Sequence, residues 1–144
     1  MHALLYRSAA RPGLLADDLN AIIETAEENN RAAGVTGLLL HGKFEALPAL
    51  AGQFVQWIEG DKDAVEGLFA QIQTDPRHSD IEVLARGPIS TLARHGTLTR
   101  RLVGGRLFPS WTMGLVRLAE LPATLEGFLG FANGWDERQV RTAA

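Results

Sequence analysis

Residues 52–60 read Gly52-Gln53-Phe54-Val55-Gln56-Trp57-Ile58-Glu59-Gly60. Aromatic and β-branched residues fill the run and a glycine closes each end, which is the pattern of a strand. Side chains alternate across a strand, so Phe54, Gln56 and Ile58 share one face while Val55 and Trp57 share the other. Both faces are largely apolar, which marks a strand in mid-sheet with cover on each side. Gln56 is the exception. A primary amide buried without a partner costs roughly 1–3 kcal/mol, so something elsewhere in the chain must hydrogen-bond it.

On the N-terminal side, Ala3 to Ser8 is a first strand, with Leu4, Tyr6 and Ser8 on one face; it ends in the turn signal Arg11-Pro12-Gly13. Tyr6 sets a phenol in an apolar row. A buried phenol needs a partner, and a backbone carbonyl would serve as well as a functional one. Asp17 to Ala33 has the spacing of an amphipathic helix through Leu19, Ile22, Ile23 and Ala26. Four residues beyond Ala26 that stripe lands on Asn30, an amide where an apolar side chain is called for. Asn29 reads as a helix terminator before Gly34; Asn30 is open between that role and a buried polar one. Gly34 to Leu40 is a second strand. Lys43 to Ala51, with Pro48, is longer than a hairpin needs and reads as an extended tip or lip.

On the C-terminal side, Asp61 is the expected N-cap of a helix whose inward stripe is Ala64, Val65, Leu68, Phe69 and Ile72. Asp75-Pro76-Arg77-His78 ends it. Ile81 to Leu84 is a fourth strand stopped by Gly87-Pro88, and Ser90 to Gly105 a basic, glycine-dotted segment read as a solvated flap. Arg106 to Val116 is the expected fifth strand, with Trp111, Met113 and Leu115 on one face; by themselves these are ordinary core residues. From Glu120 a helical tail carries the ridge Leu121, Leu125, Phe128, Leu129, Phe131 and Trp135, for which the Val55/Trp57 face is the natural seat. Past Asp136 the chain is polar.

The 144 residues suffice for one domain with its own core. A formal charge of −3 without a basic block argues against nucleic acid as a partner, and the lack of cysteine excludes disulfides and thiolate metal sites. The four histidines show no ligand spacing, and no apolar run reaches membrane-spanning length. A soluble, cytoplasmic protein that neither binds metal nor enters a membrane is the expectation. The order strand, helix, strand, strand, helix, strand predicts an α+β fold: a ferredoxin-like β-α-β-β-α-β core with a fifth strand, both long helices on one face and the helical tail as a cap on the other. Residues 1–116 would form the core domain and 117–144 its cap and tail. That fold by itself gives no function.

Five landmarks stand in order along the chain: Tyr6 with Ser8; Asn29-Asn30 before Gly34-Val35-Thr36-Gly37; Phe54-x-Gln56-x-x-Glu59-Gly60; Asp75-x-Arg77-His78; and Phe108-x-x-Trp111-x-Met113-Gly114. Together they resemble the BLUF domains, sensors of blue light using FAD, over about Leu4 to Gly114. The resemblance implies a flavin between the two helices, FAD or, through the same isoalloxazine contacts, FMN. Gln56 would lie between the flavin ring and Tyr6, with Asn30 on the carbonyl and imide edge. Ser8, Asn29, Arg77 and His78 would complete the binding residues, and Trp111 and Met113 would neighbour the glutamine. It also implies a non-enzymatic photoreceptor in which light drives electron and proton transfer from Tyr6 and rearranges Gln56. The signal would pass through strand five and the tail to a separate, unidentified partner protein, often from a homo-oligomer. Two segments, 43–51 and 90–105, are longer than the family pattern, which raises the alternative of a BLUF-like scaffold that has lost its flavin and serves as an interaction module. A small enzyme of the acylphosphatase kind lacks both a phosphate cradle and a nucleophile–base pair.

Overall fold

In a computed structural model of the chain, residues 1–11, 16–43, 52–94 and 98–136 are described. Most of the Lys43–Ala51 tip, and the tail beyond Asp136, lie outside them. Among the described residues five strands make one sheet in the order β4-β1-β3-β2-β5. They are β1 (His2–Ala10), β2 (Thr36–Lys43), β3 (Gln53–Gly60), β4 (His78–Pro88) and β5 (Trp111–Arg117). β3 is central, antiparallel to β1 and β2, while β5 joins β2 in parallel at one edge. The helices are α1 (Ala16–Ala33), α2 (Lys62–Gln73), the short α3 (Ile89–Leu92) and α4 (Leu125–Asn133). This is the expected α+β, ferredoxin-like arrangement.

The alternation read along β3 sorts the core into layers. Val55 and Trp57, both fully buried, face Phe128, Leu129 and Ala132 of α4, and the Trp57 and Phe128 rings stack at 5.6 Å. The tail therefore caps the face expected of it. On the opposite face α1 and α2 cover two separate apolar clusters. One gathers Leu4, Tyr6, Val35, Ile58, Val65, Leu68 and Phe69; the other gathers Ala10, Ile23, Leu39, Phe54 and Met113. Asp61 takes the N-cap position of α2, though its side chain makes no capping bond. Gly37 has φ +156°, and a Cβ there would lie 1.8 Å from the Trp57 carbonyl oxygen, so only glycine lets β2 sit this close to β3.

Three segments differ from the sequence reading by more than a few residues at an end. β4 runs from His78 through Gly87-Pro88 instead of stopping at Leu84, because as an edge strand it can place proline at its end without losing a ladder bond. β5 starts at Trp111, not Arg106. Residues 106–110 are drawn out of the ladder by their own anchors: the Leu107 and Phe108 N–H groups both donate to the Glu59 carboxylate, at 2.5 and 2.8 Å, and Phe108 is followed by Pro109. The segment 90–105, expected as a solvated flap, is largely a packed strap in its described part. Leu92 is buried, Leu98 and Leu102 pack on the α4-side core, and Arg100 donates to the carbonyls of Leu107, Ala132 and Trp135.

Candidate functional site

Between the two apolar clusters, α1 and α2 part over the middle of the sheet. The cleft there is partly open to solvent. Ile22, Leu39, Phe54, Leu68 and Ile72 give it apolar walls, and polar side chains line the rest, Tyr6, Asn29, Asn30, Gln56, Asp75, Arg77 and His78 among them.

The requirement set by Gln56 is met across the β1–β3 ladder. Tyr6 and Gln56 are register partners, so their side chains rise side by side on one face. The Tyr6 hydroxyl donates to Gln56 Oε1 at 2.5 Å, with both residues buried. Burial, and secondarily the negative charge of Asp75, push the Tyr6 phenol well above its usual pKa, so it keeps its proton. On the other side of Tyr6 the β1–β4 register shifts between Leu5 and Tyr6 and again between Arg7 and Ala9. Such irregularities re-aim side chains beside functional sites.

Asn30 is buried at the end of α1 and lines the cavity. Of its two readings, the buried polar one holds, since its amide faces a carbonyl and an indole N–H instead of closing the helix. Asn29 lines the same space from an exposed position. His78 is fixed at both ring nitrogens: Nε2 lies 2.8 Å from the Ile72 carbonyl and Nδ1 2.8 Å from Ser8 Oγ. A carbonyl only accepts, so Nε2 carries the proton, and in the neutral ring Nδ1 accepts from Ser8. Ser8 thus stands behind His78; it is not among the cavity-lining residues. Arg77 grips the Asp75 carboxylate with Nε at 2.9 Å and a terminal nitrogen at 2.6 Å. Those bonds hold the Asp75 carboxyl below its ordinary range and raise the guanidinium.

Met113 and Trp111 are held farther out. Tyr6, Gln56, Leu39 and Met113 form one row across β1, β3, β2 and β5, so Leu39 stands between the glutamine and the methionine. Neither Met113 nor Trp111 is among the cavity-lining residues; Trp111 hydrogen-bonds Asn30. Two residues with clear roles were given none by the sequence reading. Asp75 is one, and its i, i+2 spacing to Arg77 was the available signal. Glu59 is the other. It lies fully buried on the α4 side, accepting from Trp57 Nε1 at 2.9 Å and from the Leu107 and Phe108 N–H groups; an acid closing an apolar strand was the clue.

An α+β domain with an apolar slot between two helices, edged by a few fixed amides and a phenol, has the make-up of a receptor for a flat heteroaromatic molecule. Residues 1–114 match the family model described as "BLUF: Sensors of blue-light using FAD", and the chain belongs to that family. It is 40% identical over 86 residues to photoactivated adenylate cyclase subunit beta of Euglena gracilis, a match covering 60% of this chain and 9% of that protein. The chain thus spans about a tenth of the length of the curated relatives it matches. Among solved structures, the BLUF protein BlrB in its dark state is similar at TM-score 0.59 and 30% identity, over 81% of this chain and 71% of that one. BlrP1 of Klebsiella pneumoniae, in a structure with FMN and cyclic diGMP, gives TM-score 0.54 and 30% identity over 91% of this chain and 29% of that one. The family is one of flavin-using sensors, not enzymes; in its larger relatives the sensor is joined to effectors such as adenylyl cyclase. The residues present fit a flavin: apolar walls suit its ring faces, and the Asn30 and Gln56 amides suit its carbonyl and N–H edge. Among the described residues no helix is long and apolar enough to cross a membrane.

Proposed function

We propose that this chain is a blue-light sensor that holds its flavin between α1 and α2, with Tyr6 and Gln56 as the photoactive pair. The observation that carries the reading is the 2.5 Å bond from the Tyr6 hydroxyl to Gln56 Oε1 in the cavity wall. A bound flavin supplies absorption of blue light and, once excited, a strong oxidant. Tyr6 is an oxidisable phenol among the cavity-lining residues, and its hydroxyl proton is already directed at Gln56 Oε1. Because Tyr6 takes the glutamine's oxygen, the amide hydrogens are what Gln56 offers an occupant. Turning the amide end for end, or shifting its proton, exchanges donor for acceptor on both sides. Low-dielectric surroundings make each such exchange count heavily. Asn30, with Asn29, Arg77 and His78, would hold the cofactor, and Ser8 would steady His78.

The signal would leave through β5. Thr112, next to Trp111 but on the opposite face, accepts from Trp135 Nε1 at 3.0 Å, joining β5 to the end of the cap. We assign the cap segment 117–144 to this output role, acting on a separate cytoplasmic protein from a homo-oligomer. FAD is the cofactor the family description favours; FMN would meet the same ring contacts.

Visible spectra of the purified protein before and after blue light test the reading. Flavin bands with a reversible red shift support it, whereas a protein that stays colourless with added FAD supports the interaction module instead. Tyr6→Phe and Gln56→Leu should each keep the flavin and lose the shift. A shift surviving both changes would refute the assigned roles.

A further inference from the structure

The amide of Asn30 has a defined sense. One end faces the Ala26 carbonyl oxygen at 3.2 Å and the other faces Trp111 Nε1 at 2.5 Å. A carbonyl only accepts and an indole N–H only donates, so both are satisfied in one orientation: Nδ2 donates to Ala26 and Oδ1 accepts from Trp111. With Asn30 1% exposed, no water competes for those positions. Either bond alone biases the amide, but only the indole fixes its oxygen, and the indole comes from a different element, β5.

Building on the flavin reading, we propose that Trp111 is a positioning residue for Asn30 and not a direct partner of the cofactor or of Gln56. Trp111 does not line the cavity; Asn30 does. Once Ala26 and Trp111 have each taken one valence, Asn30 has one N–H and one oxygen lone pair left for an occupant, in an order that cannot reverse. That pair complements a carbonyl beside an N–H, the imide edge of a ring, in one sense only. Removing the indole N–H frees the amide to turn, and the ligand must then select the useful orientation for itself.

The bond can be read without any ligand. The indoles of Trp57, Trp111 and Trp135 donate to three different acceptors, Glu59, Asn30 and Thr112. In ¹⁵N-labelled flavin-free protein, Asn30→Ala should speed exchange of the Trp111 indole proton, identified by its loss in Trp111→Phe, and leave the other two unchanged. FAD titrations of wild type, Trp111→Phe, Asn30→Ala and the double variant then test the function. Trp111→Phe should weaken binding roughly two- to tenfold when Asn30 is present and cause no further loss in the Asn30→Ala background. Equal losses in both backgrounds, or an indole exchange rate indifferent to Asn30, would overturn the proposal. A wild-type protein that takes no FAD overturns the flavin reading itself. Should Trp111→Phe fail to fold, sequential resonance assignment identifies the Trp111 indole and the exchange measurement on Asn30→Ala decides alone.

Discussion

Glu59 shows how much one buried carboxyl can organise. Burial pushes its pKa from the ordinary 4.5 up to about 7, against the opposing pull of the Phe108, Leu107 and Trp57 N–H groups and the nearby Arg106. The folded protein therefore binds a proton at this site where the unfolded chain does not. Glu59's contribution to stability is full below about pH 4.5 and is lost as pH rises through about 7, a swing on the order of 3 kcal/mol. Glu59→Gln should flatten the fall in melting temperature across that window. The variant should also be less stable near pH 5, by about 1–3 kcal/mol, because its amide nitrogen would oppose N–H groups. Melts of both proteins across the window check this. Legibility differed sharply among such residues. Gln56 and Tyr6 announced themselves as polar breaks in strongly apolar strands. Asn30's partner was invisible, since Trp111 lies 81 positions away in sequence and meets it only through the β2–β5 pairing.

At the scale of elements, Gly114 and Gly130 make a controlled pair. A Cβ on Gly114 would lie 2.6 Å from the Trp135 ring, which is held by its bond to Thr112 and its stacking on Phe131. Gly114→Ala should cost about 1–3 kcal/mol and release Trp135, seen as a red-shifted, more quenchable tryptophan emission. Gly130, inside α4, has nothing within 4 Å of its missing Cβ, so Gly130→Ala should stabilise by about 0.5–1 kcal/mol. Chemical denaturation of the two variants separates the cases. The same contrast explains which elements could be read in advance. β1, β3, α2 and α4 carry strong periodicity because each buries a defined face. β4 is an edge strand with no buried residue, so its pattern fades before its ladder does. Leu107 and Phe108 look like strand residues, yet a carboxylate 48 positions upstream in the chain claims their N–H groups.

Taken as a whole, the molecule has its cleft on one side of the sheet and its cap on the other, with β3 contributing to both. Phe128, fully buried against Trp57 and Phe108, ties the cap into the core. Phe128→Ala should cost about 3–5 kcal/mol and lower the melting temperature of the entire domain in one transition, since cap and sheet share a single core. Circular dichroism and tryptophan fluorescence should report the same midpoint; a separate early step would mean the cap melts independently. The sheet is less uniform than the core. β1, β3 and β2 are each flanked on two sides, whereas β5 is attached by one parallel ladder to β2 alone. The last strand is consequently a margin stitched to both layers of the molecule: besides its single seam to β2, Trp111 is tied to Asn30 and Thr112 to Trp135, so a shift of this strand pulls on the cleft and the cap together.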